Sequence, residues 1–511
     1  MTGEDTFPAV EVLDGKPQKL SLKREVGLVG AVSLVAGTMI GSGIFMSPQF
    51  VLVNIGSPGG SLVVWAACGL LAMLGSLCYA ELGTVIRESG GEYIYILRTS
   101  GPVLAFILIF SSVIFVRPAS VAGISLSFAE YALAPFYQDC PCPQLVVKSV
   151  AAAGIVVTAI VNCLNVRFAM SMQVFFMVAK VLALSVIIIG GVMLLVRGET
   201  GSFEDSFNGT NLGINPIGIA FYQGLWSYDG WNNLNYVTEE LKRPESVLVN
   251  IGSPKASLVI WAGCSMQATL GSLCSEVNLP RAVMIAIPMV TMLYLLVNVS
   301  YLAAMTPREL MLSSAVAVTW GNKVLGSWGW VMSIAAALSA FGSLNGTFFS
   351  GGRVCFVAAR EGHMPDILAM AHVNRLTPSP ALIFTTAISL LVLIPGDFQS
   401  IVNFFSFTAW FFYTITLSGL LYLKIKKPEL PRTYSVPIVI PILVIMAAIF
   451  LVMAPIIDNP AIEYLYVTIF IFSGVLVYVP FIHYKLCPGL LEKVTVFLQL
   501  FLEVAPADKN L

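Results

Sequence analysis

Twelve predominantly apolar runs of roughly 20 residues each constrain this chain more tightly than any motif in it. They lie near 26–50, 60–82, 102–128, 146–164, 171–196, 216–239, 280–305, 328–352, 380–395, 400–423, 435–456 and 462–482. Lipid offers no hydrogen-bond partners, so a run of this length is stable there only as a helix that satisfies its own backbone. With 57% hydrophobic residues, 11% charged residues and a mean hydropathy of +0.86, too little polar material remains to clothe a water-soluble surface. The expected fold class is all-α, a polytopic membrane protein with about 12 transmembrane helices.

Charge placement orients these spans. The N-terminal tail 1–25, Arg87 and Arg98, Arg167, Lys242 and Arg243, the segment from Arg353 to Arg375, Lys424 to Arg432, and Lys485 with Lys493 fall on one side. The positive-inside rule makes that side cytoplasmic. The opposite loops are poor in base: 129–145 and 457–461 have none, and 197–215 has Arg197 beside three acids. Both termini are expected inside, flanking a membrane domain at 26–482, with 483–511 as a cytoplasmic tail. The 306–327 loop, with Arg308 and Lys323, is the weakest fit. The polar first 25 residues lack the apolar core of a cleavable signal peptide. A net charge of −1 and a pI near 6.3 provide no basic field for nucleic acid, so the lipid bilayer is the expected large partner.

An internal repeat cuts across this pattern. Val51-Leu-Val-Asn-Ile-Gly-Ser-Pro58 recurs letter for letter as Val247 to Pro254, and 20 of 28 positions are identical between 51–78 and 247–274. The segment 246–277 therefore reads as a recent copy of 50–81. Lys255, Gln267, Thr269 and Ser275 weaken it as a membrane span. If it crossed, every later basic cluster would lie outside. It is expected not to span, and to form either an appendage between spans six and seven or an artefact of splicing or gene modelling.

Two spans are interrupted where a regular helix should run. Span one reads Gly37-Thr-Met-Ile-Gly-Ser-Gly-Ile-Phe45, and three glycines in seven residues each disfavour helix by about 1 kcal/mol. Close helix packing is the alternative reading of such small residues. Span six reads Gly224-Leu-Trp-Ser-Tyr-Asp-Gly-Trp231, followed by Asn232, Asn233 and Asn235. Paired breaks in the first and sixth spans are the signature of an inverted-repeat transporter. Asp229 lies inside the second break. A carboxylate at membrane depth costs several kcal/mol unless compensated, which marks it as a candidate site residue or a cap of the unwound turn.

These residues resemble the amino acid, polyamine and organocation transporters, and within them the light subunits of heteromeric amino acid transporters. The resemblance runs from about Ser21 to Pro506. It is carried by Gly37 to Phe45, Glu81-Leu-Gly, Ser89-Gly-Gly-Glu-Tyr93, Tyr236-Val-Thr-Glu-Glu240, Arg360-Glu-Gly-His-Met-Pro365 and Thr377-Pro-Ser-Pro380. It implies a LeuT-like five-plus-five inverted repeat with helices 1 and 6 broken. The first repeat covers about 26–197, the second about 216–423, and helices 11 and 12 lie at 435–482. It also implies sodium-independent exchange of amino acids by alternating access, at the plasma membrane and on the apical face of an epithelium, with no cofactor. In such light subunits the first break holds the substrate's main chain. Amides near Ser42 and Gly43 would take the carboxylate, as helix N-termini attract anions. Carbonyls near Thr38, Met39, Ile40 and the Trp226 turn would take the ammonium, with Trp226 as a lid.

The string from Trp226 to Trp231 looks like the b-zero-plus subtype, which exchanges cystine and dibasic amino acids for neutral ones. Asp229 can pair with a guanidinium or ammonium, consistent with such substrates. Arg117, in Phe115-Val-Arg-Pro-Ala119, is the counter-signal. It resembles a cation of the cystine and glutamate exchangers and can read an anionic side chain, or instead pair with a neighbour in the bundle. Those exchangers carry a second arginine in span ten, where this chain reads Ser406-Phe-Thr-Ala-Trp410. Lys180, the one charge in span five, occupies the place where sodium-coupled relatives bind their ion, or pairs with a carbonyl. Arg353, Arg360, Glu361 and His363 form either a cytoplasmic gate or a solvated helix end.

Nine cysteines are present, six of them in apolar runs where thiols pack as small hydrophobes. Cys140-Pro-Cys142 lies in a loop expected outside, where disulfides persist. Light subunits place one cysteine here to bond a single-pass type II glycoprotein heavy chain, and Cys140 matches it, with Cys142 as an extra thiol. No triad, metal-ligand spacing or phosphate loop supports an enzyme. The copied segment directly behind span six leaves a further alternative, a transport-inactive chain that only occupies its partner.

Overall fold

The computed structural model describes residues 28–86, 88–137, 142–236, 278–313, 315–430, 432, 434–457, 462–484 and 488–506. The N-terminal tail, Cys140 and the copied segment 246–277 lie outside the described residues. The helices are α1 (Leu28–Met39), α2 (Gly43–Ile55), α3 (Pro58–Val85), α4 (Glu92–Ser100), α5 (Pro102–Ser111), α6 (Arg117–Leu133), α7 (Gln144–Leu164), α8 (Val166–Val196) and α9 (Ile214–Ser227). After the copied segment come α10 (Asn278–Ala304), α11 (Pro307–Leu312), α12 (Val316–Val324), α13 (Trp330–Arg360), α14 (Ser379–Leu393), α15 (Phe398–Lys426), α16 (Val439–Ile457), α17 (Ile462–Val477) and α18 (Pro488–Leu502).

Each of the twelve apolar runs is helical, and the expected polytopic all-α class holds. Among the described residues, nine spans are long and apolar enough to cross a bilayer unaided. A tenth is the bent pair α1 and α2, which meet at 40°. The remaining two are short. Helix α14 has 15 residues, and α9 has 14 before span six unwinds into a turn and a 3-10 segment at Asn233–Tyr236. Span three also differs from a regular helix, because Ser112–Val116 forms a π-turn immediately before Arg117 and Pro118. Proline has no N–H and crowds the carbonyl four residues earlier, and the wider turn relieves both problems.

Two groups of helices face each other. Spans one, two, six and seven pack together through α3 on α10, α2 on α9 and α1 on α10. Helices α6, α7, α8, α13 and α14 form the other group, with α13 lying along both α6 and α8. Helix α1 touches α8 and α13, so the first break sits where the groups meet.

Two sets of polar contacts tie helix ends that the charge pattern expects on the cytoplasmic side. Glu81 of α3 is fully buried and lies 2.7 Å from Lys424 and 3.3 Å from Arg432, and it accepts from the Val436 amide at 2.8 Å. Removing one partner from a buried ion cluster strands the others, so Glu81→Gln should cost about 3 kcal/mol of stability. Lower thermal stability of the purified protein in detergent checks this. Helix α13, at about 46 Å, outruns the bilayer core by several turns. Its end is docked instead of solvated: Glu361 pairs with Arg98 at 3.5 Å, and His363 Nδ1 lies 2.8 Å from the Tyr93 hydroxyl.

The C-terminal tail is more ordered than its composition announces. Strand β1 (Met370–His372) pairs antiparallel with β2 (Val504–Pro506), which binds the end of the tail to the loop after α13.

Candidate functional site

The two breaks lie against each other at the centre of the bundle. Between α1 and α2 the carbonyls of the unwound segment lose their helical partners, a cost of several kcal/mol each in a dry interior. Three neighbouring helices supply the missing donors. Lys180 Nζ of α8 donates to Gly37 O at 2.5 Å, and Ser343 Oγ of α13 donates to Thr38 O at 2.6 Å. Ser339 Oγ reaches Ile40 O at 3.2 Å. The Tyr294 hydroxyl of α10 lies 2.6 Å from Met39 O and 2.8 Å from Ser227 O, so one proton is shared between the two breaks. Met39 O also accepts from the Gly41 amide at 2.7 Å, so both its lone pairs are engaged, whereas Thr38 O, with the Ser343 hydroxyl on one, has a second to offer.

The second break begins where α9 ends at Ser227. Tyr228 N donates to Leu225 O at 3.0 Å and Asp229 N to Trp226 O at 3.1 Å, and Gly230 turns the chain with φ +102°. At Gly43 the two breaks approach closely. A Cβ there would lie 2.5 Å from Ser227 Cα and 2.7 Å from its Cβ, inside any van der Waals contact. Glycine is required because backbone meets backbone.

A small cavity opens between the breaks, lined by Thr38, Met39, Gly41, Ser42, Gly43, Ile124, Trp226, Asp229, Ser343 and Thr347. It holds little more than water as the side chains stand. Six of the expected site residues therefore share one wall: Thr38, Met39, Ser42, Gly43, Trp226 and Asp229. Helix α2 begins at this wall, and the first N–H groups of a helix have no intrahelical acceptor. The positive end of its dipole thus faces the cavity, which Asp229 also lines. Trp226 packs edge-to-face on Phe405 at 5.1 Å and on Phe398 at 6.0 Å.

Three expected residues are not in the wall. Ile40 points its backbone at Ser339, Lys180 lies behind the break against Gly37, and Arg117 stacks on Tyr236 with Cζ 4.3 Å from the ring centroid. That ring belongs to a separate polar cluster. Tyr236 OH donates to Glu92 Oε2, and Asn232 Nδ2 donates to Glu92 Oε1 at 2.5 Å and lies 3.1 Å from the Tyr413 hydroxyl. Arg117 is within electrostatic reach of Asp229 and Glu92.

Four wall residues, Gly41, Ile124, Ser343 and Thr347, were outside the expected set. Ser343 and Thr347 carried a legible signal: with Ser339 they repeat every four residues on one face of an otherwise apolar helix. Ile124 carried none.

A membrane bundle whose first and sixth spans break around a polar cavity defines a multi-pass transporter of small solutes. The chain belongs to the amino acid permease family, whose model matches residues 26–480, and is an amino acid transporter. It is 45% identical over 497 residues to the human b(0,+)-type amino acid transporter 1, covering 97% of this chain and 96% of that protein. It is 39% identical over 498 residues to the human cystine/glutamate transporter, covering 97% and 93%. The mouse large neutral amino acids transporter small subunit 2 is 39% identical over 465 residues, covering 90% and 81%.

Proposed function

We propose that this chain is a sodium-independent exchanger that takes up cystine and cationic amino acids in exchange for neutral ones by alternating access. The observation that carries this reading is Asp229 lining the same cavity as the first helix break. The substrate carboxylate binds at the amides that open α2, near Ser42 and Gly43. Its ammonium meets the carbonyls near Thr38 and Met39 and those of the Trp226 turn, with Thr38 O offering a spare lone pair. A guanidinium or ammonium side chain then pairs with Asp229, and Trp226 closes over it. Lys180 donates to the Gly37 carbonyl, and by the family resemblance this is the place where sodium-coupled relatives bind their ion.

The cavity admits no whole amino acid as it stands, so binding requires Trp226 and the breaks to part. Spans one, two, six and seven move as the rocking group against α6, α8 and α13. We further propose a heavy-chain partner joined through Cys140 and residence at the plasma membrane, on the apical face of an epithelium. A relative named a small subunit supports a partner chain.

An anionic exchanger is the second reading, favoured by Arg117 and by the likeness to the cystine/glutamate transporter. Stacking of Arg117 on Tyr236, outside the cavity wall, weighs against it. Arginine uptake into proteoliposomes, with residues 246–277 present or deleted, is the deciding measurement. Uptake in both forms is the expected result. Uptake only after deletion would make the chain as given a transport-inactive subunit, and preference for glutamate over arginine would replace the cationic reading.

A further inference from the structure

The wall behind Trp226 is bare backbone. A Cβ at Gly123 of α6 would lie 3.2 Å from both Cζ2 and Cη2 of the Trp226 indole, and 3.2 Å from Cγ2 of Ile401. Ordinary carbon–carbon contact is about 3.5–4.0 Å, so the indole is seated flush against a residue without a side chain. Phe398 and Phe405 of α15 hold the same indole edge-to-face, and Ile401 lies between them in sequence. Packed on these groups, the indole also lines the cavity together with Ile124. A side chain added at position 123 crowds the indole from behind, and the cavity is space into which it can give.

We infer that Gly123 is a specificity-determining residue that sets the largest substrate side chain the site accepts, by fixing how far Trp226 can retreat. The inference deepens the proposed function and rests on Trp226 closing over the substrate. Glycine gives the deepest seat for the indole and so the widest space for long or bulky side chains. Alanine, leucine and arginine ask progressively more of that space. Small substrates need none of the retreat and are indifferent to the residue at 123.

Uptake of alanine, leucine and arginine into proteoliposomes by wild type, Gly123→Ala and Gly123→Val tests this. Expected are alanine uptake within about threefold of wild type and arginine-to-alanine and leucine-to-alanine ratios lowered at least tenfold in Gly123→Val, chiefly through KM, since about 1.4 kcal/mol of selective crowding corresponds to that factor. Gly123→Ala should show a smaller change in the same direction, and it carries the test if the valine variant does not fold. Adding Trp226→Phe to either variant should restore the ratios, because a smaller ring removes the collision. Equal loss of all three substrates without that rescue, or unchanged ratios in a folded Gly123→Val protein, overturns the inference. A wild-type protein that moves no amino acid overturns the proposed function as well, whereas wild-type uptake with unchanged variant ratios overturns this inference alone.

Discussion

Replacing Asp229 with alanine should lower arginine uptake by roughly 10- to 100-fold while leaving leucine uptake within about threefold. The magnitude follows from one hydrogen bond between charged groups, about 1.5–3 kcal/mol, at about 1.4 kcal/mol per tenfold in affinity. The asymmetry follows from placement. Asp229 lines the cavity with a charged side chain, whereas the proposed contacts to the substrate's main chain are made by backbone at the first break, so the proposal predicts that losing the carboxylate affects a cationic side chain most. Radiolabelled uptake of both substrates by Asp229→Ala and Asp229→Asn is the check. Equal loss of arginine and leucine transport would return Asp229 to a structural role at the unwound turn.

Gly43→Ala should abolish transport of every substrate, by about 100-fold or more. The added methyl would sit 2.5 Å from Ser227 Cα, a backbone atom that cannot rotate away. The two breaks must then separate by about 1 Å, and misplacement of that size in a preorganised site is worth about two orders of magnitude. Tyr294 would also lose its shared position between Met39 O and Ser227 O. Uptake of alanine and arginine by the purified variant, alongside its thermal stability, decides the matter. Alanine and arginine uptake within a few-fold of wild type would show that the breaks do not need this contact.

These two predictions differ in how they were reached. Asp229 stood out in the sequence, because an acid in an apolar run flanked by Gly224 and Gly230 has few structural excuses. Gly43 was legible as part of a glycine-rich break, but its partner was not. Nothing in one sequence says that residue 43 meets residue 227, since that contact depends on how α2 and α9 cross. The same limit explains Tyr294, an unremarkable tyrosine in an apolar helix until both carbonyls are seen beside it. Arg117 shows the converse. As a letter it is a cation in a core span and reads equally as a substrate ligand or a paired group, and only the packed bundle shows it stacked on Tyr236.

The sequence by itself determined that this chain is a multi-pass membrane protein, where its helices run, and that spans one and six break. Those properties follow from local physics: transfer of apolar side chains, backbone self-satisfaction in lipid and the weak helicity of glycine act on short stretches of chain. The tertiary structure alone decided which side chains reach the carbonyls of each break, that Ile124, Ser343 and Thr347 join the wall, and that Gly43 and Gly123 are spaces kept empty beside Ser227 and Trp226. Those are relations between helices far apart in the chain, and close packing makes them matter at the scale of a single methyl group.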